Sequence, residues 1–243
     1  MLLSIQQMTK KFGGVTALDN CSFSLEQGKI TAIIGPNGAG KTTLFDAISG
    51  LVPLDQGKIT FHDNDIANLQ EHQRANIGIV RTWQQVRLFK NLTIADHLAM
   101  AEGNDDTRFF RSLLPDTKSA TEEYQSYIES FGIERPTETI VRDLSYGQRK
   151  LLQLAIALRK PHTLLLLDEP VAGVNAVIQQ KIENLLMDLK KKGETIAIIE
   201  HDIEFVRKLA DKVIVLDAGK VLLQGLPETV LRDKRVIEAY LGE

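Results

Sequence analysis

The densest chemical pattern in the chain is Gly35-Pro36-Asn37-Gly38-Ala39-Gly40-Lys41-Thr42, which fits G-x-x-x-x-G-K-S/T at every fixed position and is followed by Thr43. Glycines let a backbone wrap closely around a phosphate and aim several N–H groups at it. A helix starting at Lys41 adds the positive end of its dipole. Lys41 supplies a mobile cation for β- and γ-phosphates, and the Thr42 hydroxyl is a ligand type that suits Mg²⁺. The loop follows an apolar run, Ile30 to Ile34, and precedes a helical stretch, the context in which such a pattern binds phosphate rather than merely turning the chain. It implies a nucleoside triphosphate with its Mg²⁺, held by Gly35 to Thr43.

A second run, Leu164-Leu165-Leu166-Leu167, ends in Asp168-Glu169-Pro170. The leucines read as a buried strand. In an α/β sheet, ligands sit beyond the carboxyl ends of the strands, so these two acids would face the same crevice as the phosphate loop. Asp168 would then hold Mg²⁺ and Glu169 would polarise an attacking water as general base. Between the two motifs lies Leu144-Ser145-Tyr146-Gly147-Gln148, directly before helical spacing at Leu151, Leu154, Ala155 and Leu158. Its Ser and Gly read as a helix N-cap or as an anion site.

The elements that must position these groups alternate in type. Cys21 to Leu25, Ile30 to Ile34, Ile59 to Phe61 and Ile77 to Val80 read as strands, with a helix from Lys41 to Ser49 closed by Gly50. From Gln85 to Lys160 helical periodicity takes over, at Ile94 to Ala101, Glu122 to Phe131 and Gln148 to Leu158. Strand Thr163 to Leu167, a helix through Leu185 to Lys191, strand Thr195 to Ile199 and a helix carrying Ile203, Val206 and Leu209 follow. The last strands expected are Val213 to Leu216 and Val221 to Leu223, around the turn from Asp217 to Lys220. This alternation predicts an α/β domain with a largely parallel sheet covered on both faces, interrupted by a mostly helical insertion.

Composition narrows the setting. Apolar residues make up 43% and charged residues 25% of the 243, an ordinary globular balance. The net charge of −3 gives no electrostatic reason to expect nucleic acid as a partner. Lys10-Lys11 and Lys190 to Lys192 read as solvated faces. The single cysteine, Cys21, has no partner for a disulfide or a Cys-rich metal site and reads as a small apolar strand residue in a reducing setting. The N-terminus lacks the pattern of a signal peptide, and no run approaches the ~20 apolar residues that cross a bilayer. Any membrane span is expected from other chains.

The order of these motifs resembles the ATPase subunits of ABC transporters over essentially the whole chain. Leu144 to Gln148 is similar to the family signature, usually written LSGGQ, with Tyr146 in place of its first Gly. Gln84 resembles the Q-loop glutamine, which touches Mg²⁺ where the membrane partner docks, and His201 resembles the switch histidine near the γ-phosphate. Phe12 is placed like the aromatic residue that stacks on adenine, and Val171 to Asn175 resembles the D-loop. The resemblance implies one ABC ATPase domain over residues 1–243. Its α/β P-loop NTPase core, residues 1–84 and 161–243, would combine a mainly parallel sheet with an N-terminal antiparallel β part. A helical subdomain over about 85–160 would carry the signature.

It further implies a homo- or heterodimer in which two chains sandwich ATP and Mg²⁺. Lys41, Glu169 and His201 would be the catalytic residues of one chain, with Thr42, Gln84 and Asp168 at the metal. Ser145, Tyr146, Gly147 and Gln148 would act in trans on the nucleotide of the other. Transmembrane permease subunits and a substrate-binding protein would complete the assembly at the cytoplasmic face of the membrane. Arg81 to Gln84, Val86 to Phe89, Ala172 to Asn175 and the ending Ala239-Tyr240-Leu241-Gly242-Glu243 resemble the branched-chain amino acid importer group. Urea or amide importers and the lipopolysaccharide-exporter ATPase share much of this pattern. A soluble ABC ATPase acting on DNA or ribosomes, or a P-loop kinase, is a more distant reading.

Overall fold

The computed structural model describes residues 1–102 and 118–241. Part of the expected helical stretch, at 103–117, and the final Gly242 and Glu243 lie outside the described residues. The chain forms two compact units, one of Met1–Arg81, His162–Pro170 and Leu186–Glu243, the other of Thr82–Pro161 and Val171–Leu185.

The strands all belong to the first unit. They are β1 (Leu3–Phe12), β2 (Val15–Leu25), β3 (Ile30–Ile34), β4 (Gln56–Phe61), β5 (Asn64–Asp65), β6 (Ile79–Arg81), β7 (Leu164–Asp168), β8 (Thr195–Ile199), β9 (Lys212–Asp217) and β10 (Lys220–Gly225). One sheet is antiparallel, in the order β2-β1-β4-β5, and the other runs β10-β9-β3-β8-β7-β6. Within the second sheet β9, β3, β8, β7 and β6 are parallel and β10 folds back antiparallel on β9. Every residue of β3, β7 and β8 is buried. That is why these strands are continuous apolar runs without polar alternation.

The helices are α1 (Lys41–Ser49), α2 (Glu71–Asn76), α3 (Ile94–Glu102), α4 (Lys118–Ser130), α5 (Tyr146–Arg159), α6 (Ala176–Lys191), α7 (Ile203–Leu209), α8 (Pro227–Val230) and α9 (Lys234–Leu241). Helix α1 buries Leu44, Phe45, Ala47 and Ile48 in the first unit's core. Its last carbonyls are satisfied by a long-range cap: the buried Arg74 of α2 donates to Ala47 O at 2.6 Å and Ile48 O at 2.9 Å. Burial pulls this guanidinium down to about 10, so it stays charged at neutral pH and faces the negative end of α1. In the second unit, α3, α4 and α5 pack around Ile94, Leu98, Ile128, Leu151 and Leu152.

Two expectations about lysines need correction. Lys10 is buried, with its ammonium 3.3 Å from Asp55 and 5.2 Å from the centre of the Phe12 ring. Lys190 is half-buried, 2.9 Å from Asp211. Cys21 is buried as expected, and its thiol donates to Gly219 O at 2.9 Å. The sequence pattern points to no helix at α2, α8 or α9, which are additions of the structure.

Candidate functional site

Strand β3 delivers the chain to Gly35 and α1 takes it up at Lys41. Gly35 has φ 150°, and a Cβ there would lie 2.0 Å from the Leu216 carbonyl oxygen, so only glycine fits at this close approach. The buried Lys41 ammonium donates to Gly35 O at 2.7 Å and Pro36 O at 2.8 Å. Gly40 is the N-cap of α1, so the loop runs directly into the positive end of the helix. Thr42 is exposed and Thr43 half-buried.

The acids arrive on the same edge of the sheet. Ile199 of β8 is the register partner of both Ile33 in β3 and Asp168 in β7, so the three strands end together. Their continuations place the phosphate loop, Glu169 and His201 at the carboxyl end of one parallel sheet. Asp168 is buried, and desolvation pushes its carboxyl up, opposed by the neighbouring Arg81 guanidinium. Arg81, at the end of β6, bonds Asp168 Oδ2 at 3.2 Å and Asp46 Oδ1 of α1 at 2.5 Å. Glu169 stands at φ 47°, in the left-handed region, with its N–H bonded to Ile199 O at 3.0 Å. Its carboxylate faces His201 Nε2 at 3.2 Å. Asp202 caps α7, accepting the Phe205 N–H at 3.0 Å. Phe12 is 48% exposed, not a core residue, with the Lys10 ammonium 5.2 Å from its ring centre.

The remaining sequence-selected residues belong to the second unit. Ser145 caps α5 through a reciprocal pair, accepting the Gln148 N–H at 3.2 Å while Gln148 Oε1 accepts the Ser145 N–H at 3.0 Å. Tyr146 is 39% exposed, and its ring lies against the Val171 to Asn175 segment, where a Cβ on Gly173 would be 3.3 Å from Tyr146 Cε1. Gly147 lies against Ile178 in the same way. Gln84 is exposed, and its carbonyl accepts the buried Lys150 ammonium at 2.8 Å. Gln153 Nε2 donates to Trp83 O at 3.2 Å, and Arg87 stacks on the Trp83 ring at 3.8 Å. Lys150 and Gln153, polar residues inside the leucine-rich stretch of α5, are the signal that would have picked them out. Arg81 and Tyr240 lie inside sequence motifs, but their work is long-range, to Asp46 and Asp168 for the arginine and to Gly35 for the tyrosine.

Comparison with known proteins adds the decisive observation: residues 18–172 match the ABC transporter family. The chain belongs to that family. The cassette also matches the branched-chain amino acid ATP-binding cassette transporter family over residues 220–243. It is 36% identical over 245 residues to a probable branched-chain amino acid transport ATP-binding protein of Archaeoglobus fulgidus, covering 99% of this chain and 95% of that protein. It is 34% identical over 250 residues to the high-affinity branched-chain amino acid transport ATP-binding protein of Escherichia coli, covering 100% and 98%. Among solved structures it resembles a nucleotide-free ATP-binding cassette from an ABC transporter, with TM-score 0.86 and 32% identity over 100% of this chain and 99% of that one. A cassette in its ADP conformation is equally similar, with TM-score 0.86 and 33% identity over the same shares. As an ABC cassette the chain binds nucleotide and hydrolyses ATP in a membrane transporter. Among the described residues no helix is long and apolar enough to cross a membrane.

Proposed function

We propose that this cassette powers import of branched-chain or related hydrophobic amino acids, working with separate permease subunits and a substrate-binding protein at the cytoplasmic face of the membrane. The observation that carries the substrate class is the match of residues 220–243 to the branched-chain family, in a chain that aligns end to end with relatives named for that transport.

The phosphate chain of ATP occupies the Gly35 to Thr43 loop, with adenine on the exposed Phe12 ring. Its oxygens take over the Lys41 ammonium, which exchanges two carbonyl partners for phosphate. The Glu169 carboxylate accepts a proton from the attacking water as its oxygen bonds the γ-phosphorus and the bridge to the β-phosphate breaks. His201 orients that carboxylate and contacts the γ-phosphate.

Thr42, Asp168 and Gln84 would hold Mg²⁺. The donors fit a hard cation, being a hydroxyl, a carboxylate and an amide oxygen. When bound, the ion offsets negative charge on the phosphates. A second ATPase chain, identical or related, supplies Ser145 to Gln148 to each γ-phosphate.

Glu169→Gln tests the catalytic part. In the assembled transporter it should still bind MgATP, accumulate the closed ATPase dimer and release no phosphate, and undiminished hydrolysis would refute the role of Glu169. Reconstituted vesicles test the substrate class. Leucine, isoleucine or valine with the binding protein should stimulate ATP turnover, whereas stimulation by urea or amides alone would overturn that assignment.

A further inference from the structure

Helix α9 reaches back to the opening residue of the phosphate loop. The Tyr240 hydroxyl accepts the N–H of Gly35 at 2.7 Å, while the carbonyl of the same glycine accepts the Lys41 ammonium at 2.7 Å. Gly35 is therefore held at both of its polar groups. On its third side it lies against the Leu216 carbonyl. The ladder between β3 and β9 ends at the pair Ile34 and Val215, so the Gly35 N–H lies one residue past the sheet and takes its acceptor from a side chain. Helix α9 packs against β10 and buries Val236, which fixes the position from which the phenol reaches Gly35.

We propose that Tyr240 is a positioning residue for the phosphate loop, through which docking of the C-terminal helix sets the affinity for nucleotide. The proposal rests on reading Gly35 to Thr43 as the phosphate site. Its direction follows from the exchange at Lys41. When the ammonium leaves Gly35 O for a phosphate oxygen, the bond to Tyr240 becomes the remaining polar restraint described at that residue, so its contribution is largest in the bound state. A loop already held in its binding shape has less freedom to lose when nucleotide enters.

Tyr240→Phe keeps the ring and removes the acceptor. Purified full-length chain, Tyr240→Phe and Lys41→Ala are titrated with MgADP by calorimetry, alongside thermal melts and the amide resonance of Gly35. Tyr240→Phe should bind ADP about three- to tenfold more weakly, the range for one neutral hydrogen bond, with a melt within a few degrees of the parent and an upfield shift of the Gly35 amide proton. If Tyr240→Phe shifts that resonance or the melt but binds ADP as the parent does, the tyrosine is structural only and the proposal fails. If Lys41→Ala binds ADP as tightly as the parent, the phosphate-site reading falls and the proposal with it. Loss of binding in Lys41→Ala beside parent affinity in Tyr240→Phe removes the proposal alone.

Discussion

His201 Nε2 lies 3.2 Å from Glu169 Oε1, a pairing made by β8, whose last residue is in register with Asp168. Glu169 is otherwise constrained by its backbone, since a non-glycine residue at φ 47° is strained and is held there by the bond of its N–H to Ile199 O. The imidazole thus bears on the side chain, and the sheet on the main chain. His201→Ala should lower ATP turnover by about 10²-fold, the usual cost of letting a catalytic group drift by about 1 Å, with MgADP affinity unchanged. Phosphate release at saturating ATP and a parallel ADP titration measure the two.

Arg81 and Asp168 each have side chains only 4% exposed, so removal of the guanidinium leaves a buried carboxylate without its neutralising partner. Arg81→Met should cost about 3–5 kcal/mol in urea unfolding at neutral pH. Burial already raises the Asp168 carboxyl in the folded state and Arg81 opposes that rise, so the substitution raises it further. An acid raised on folding penalises the native state once pH exceeds its unfolded value. The deficit should therefore shrink as pH falls through the folded value and the carboxyl protonates. A deficit that grows towards acid would contradict this account.

Lys150→Met keeps much of the stem's volume and removes the bond to the Gln84 carbonyl. Trp83, the chain's single tryptophan, sits next to that carbonyl under Arg87 and reports on the segment. The substitution should shift tryptophan emission to the red and weaken the stimulation of ATP turnover by transported substrate, while MgADP binding persists. An unchanged spectrum would show that Gln153 and the stacked Arg87 hold the segment unaided.

Gly173 has φ 72°, and the Tyr146 ring leaves little room for a Cβ there. Gly173→Ala should destabilise the chain by about 1 kcal/mol or more. Because part of that cost is the ring, it should fall in a Tyr146→Gly background, with a coupling of about 0.5–1 kcal/mol in a double-mutant cycle followed by urea unfolding. Additive costs would mean that the tyrosine and the glycine do not constrain one another.

Local order was the legible part of this protein. The helix Lys41–Ser49 and its closure at Gly50 read residue for residue, because a phosphate-loop motif fixes one end and a left-handed glycine the other. Strand Thr195–Ile199 read equally well as an apolar run between polar turns. Strand β6 starts at Ile79 instead of Ile77, since the intervening Gly78 has φ 95° and cannot extend the ladder. Of the two readings of Ser145, the structure shows the cap, with the side chain spent on the Gln148 N–H. What the sequence concealed was partnership over distance. Tyr240 lies 205 positions from Gly35, and Arg81 lies 35 from Asp46 and 87 from Asp168. No periodicity encodes such pairs, because they follow from where strands stop in three dimensions.

The shared register of Ile199 with Ile33 and Asp168 makes the middle strand a ruler for the chemistry. A slip of one residue in β8 would withdraw His201 from Glu169, displace the partner of the loop strand, and turn its apolar side chains to the opposite faces. Hydrolytic alignment in this cassette is therefore not a local property that surface loops can retune. It is set by the same packing that keeps the sheet folded, so substitutions at Ile196 or Ile198, remote from nucleotide, should cost alignment and stability together.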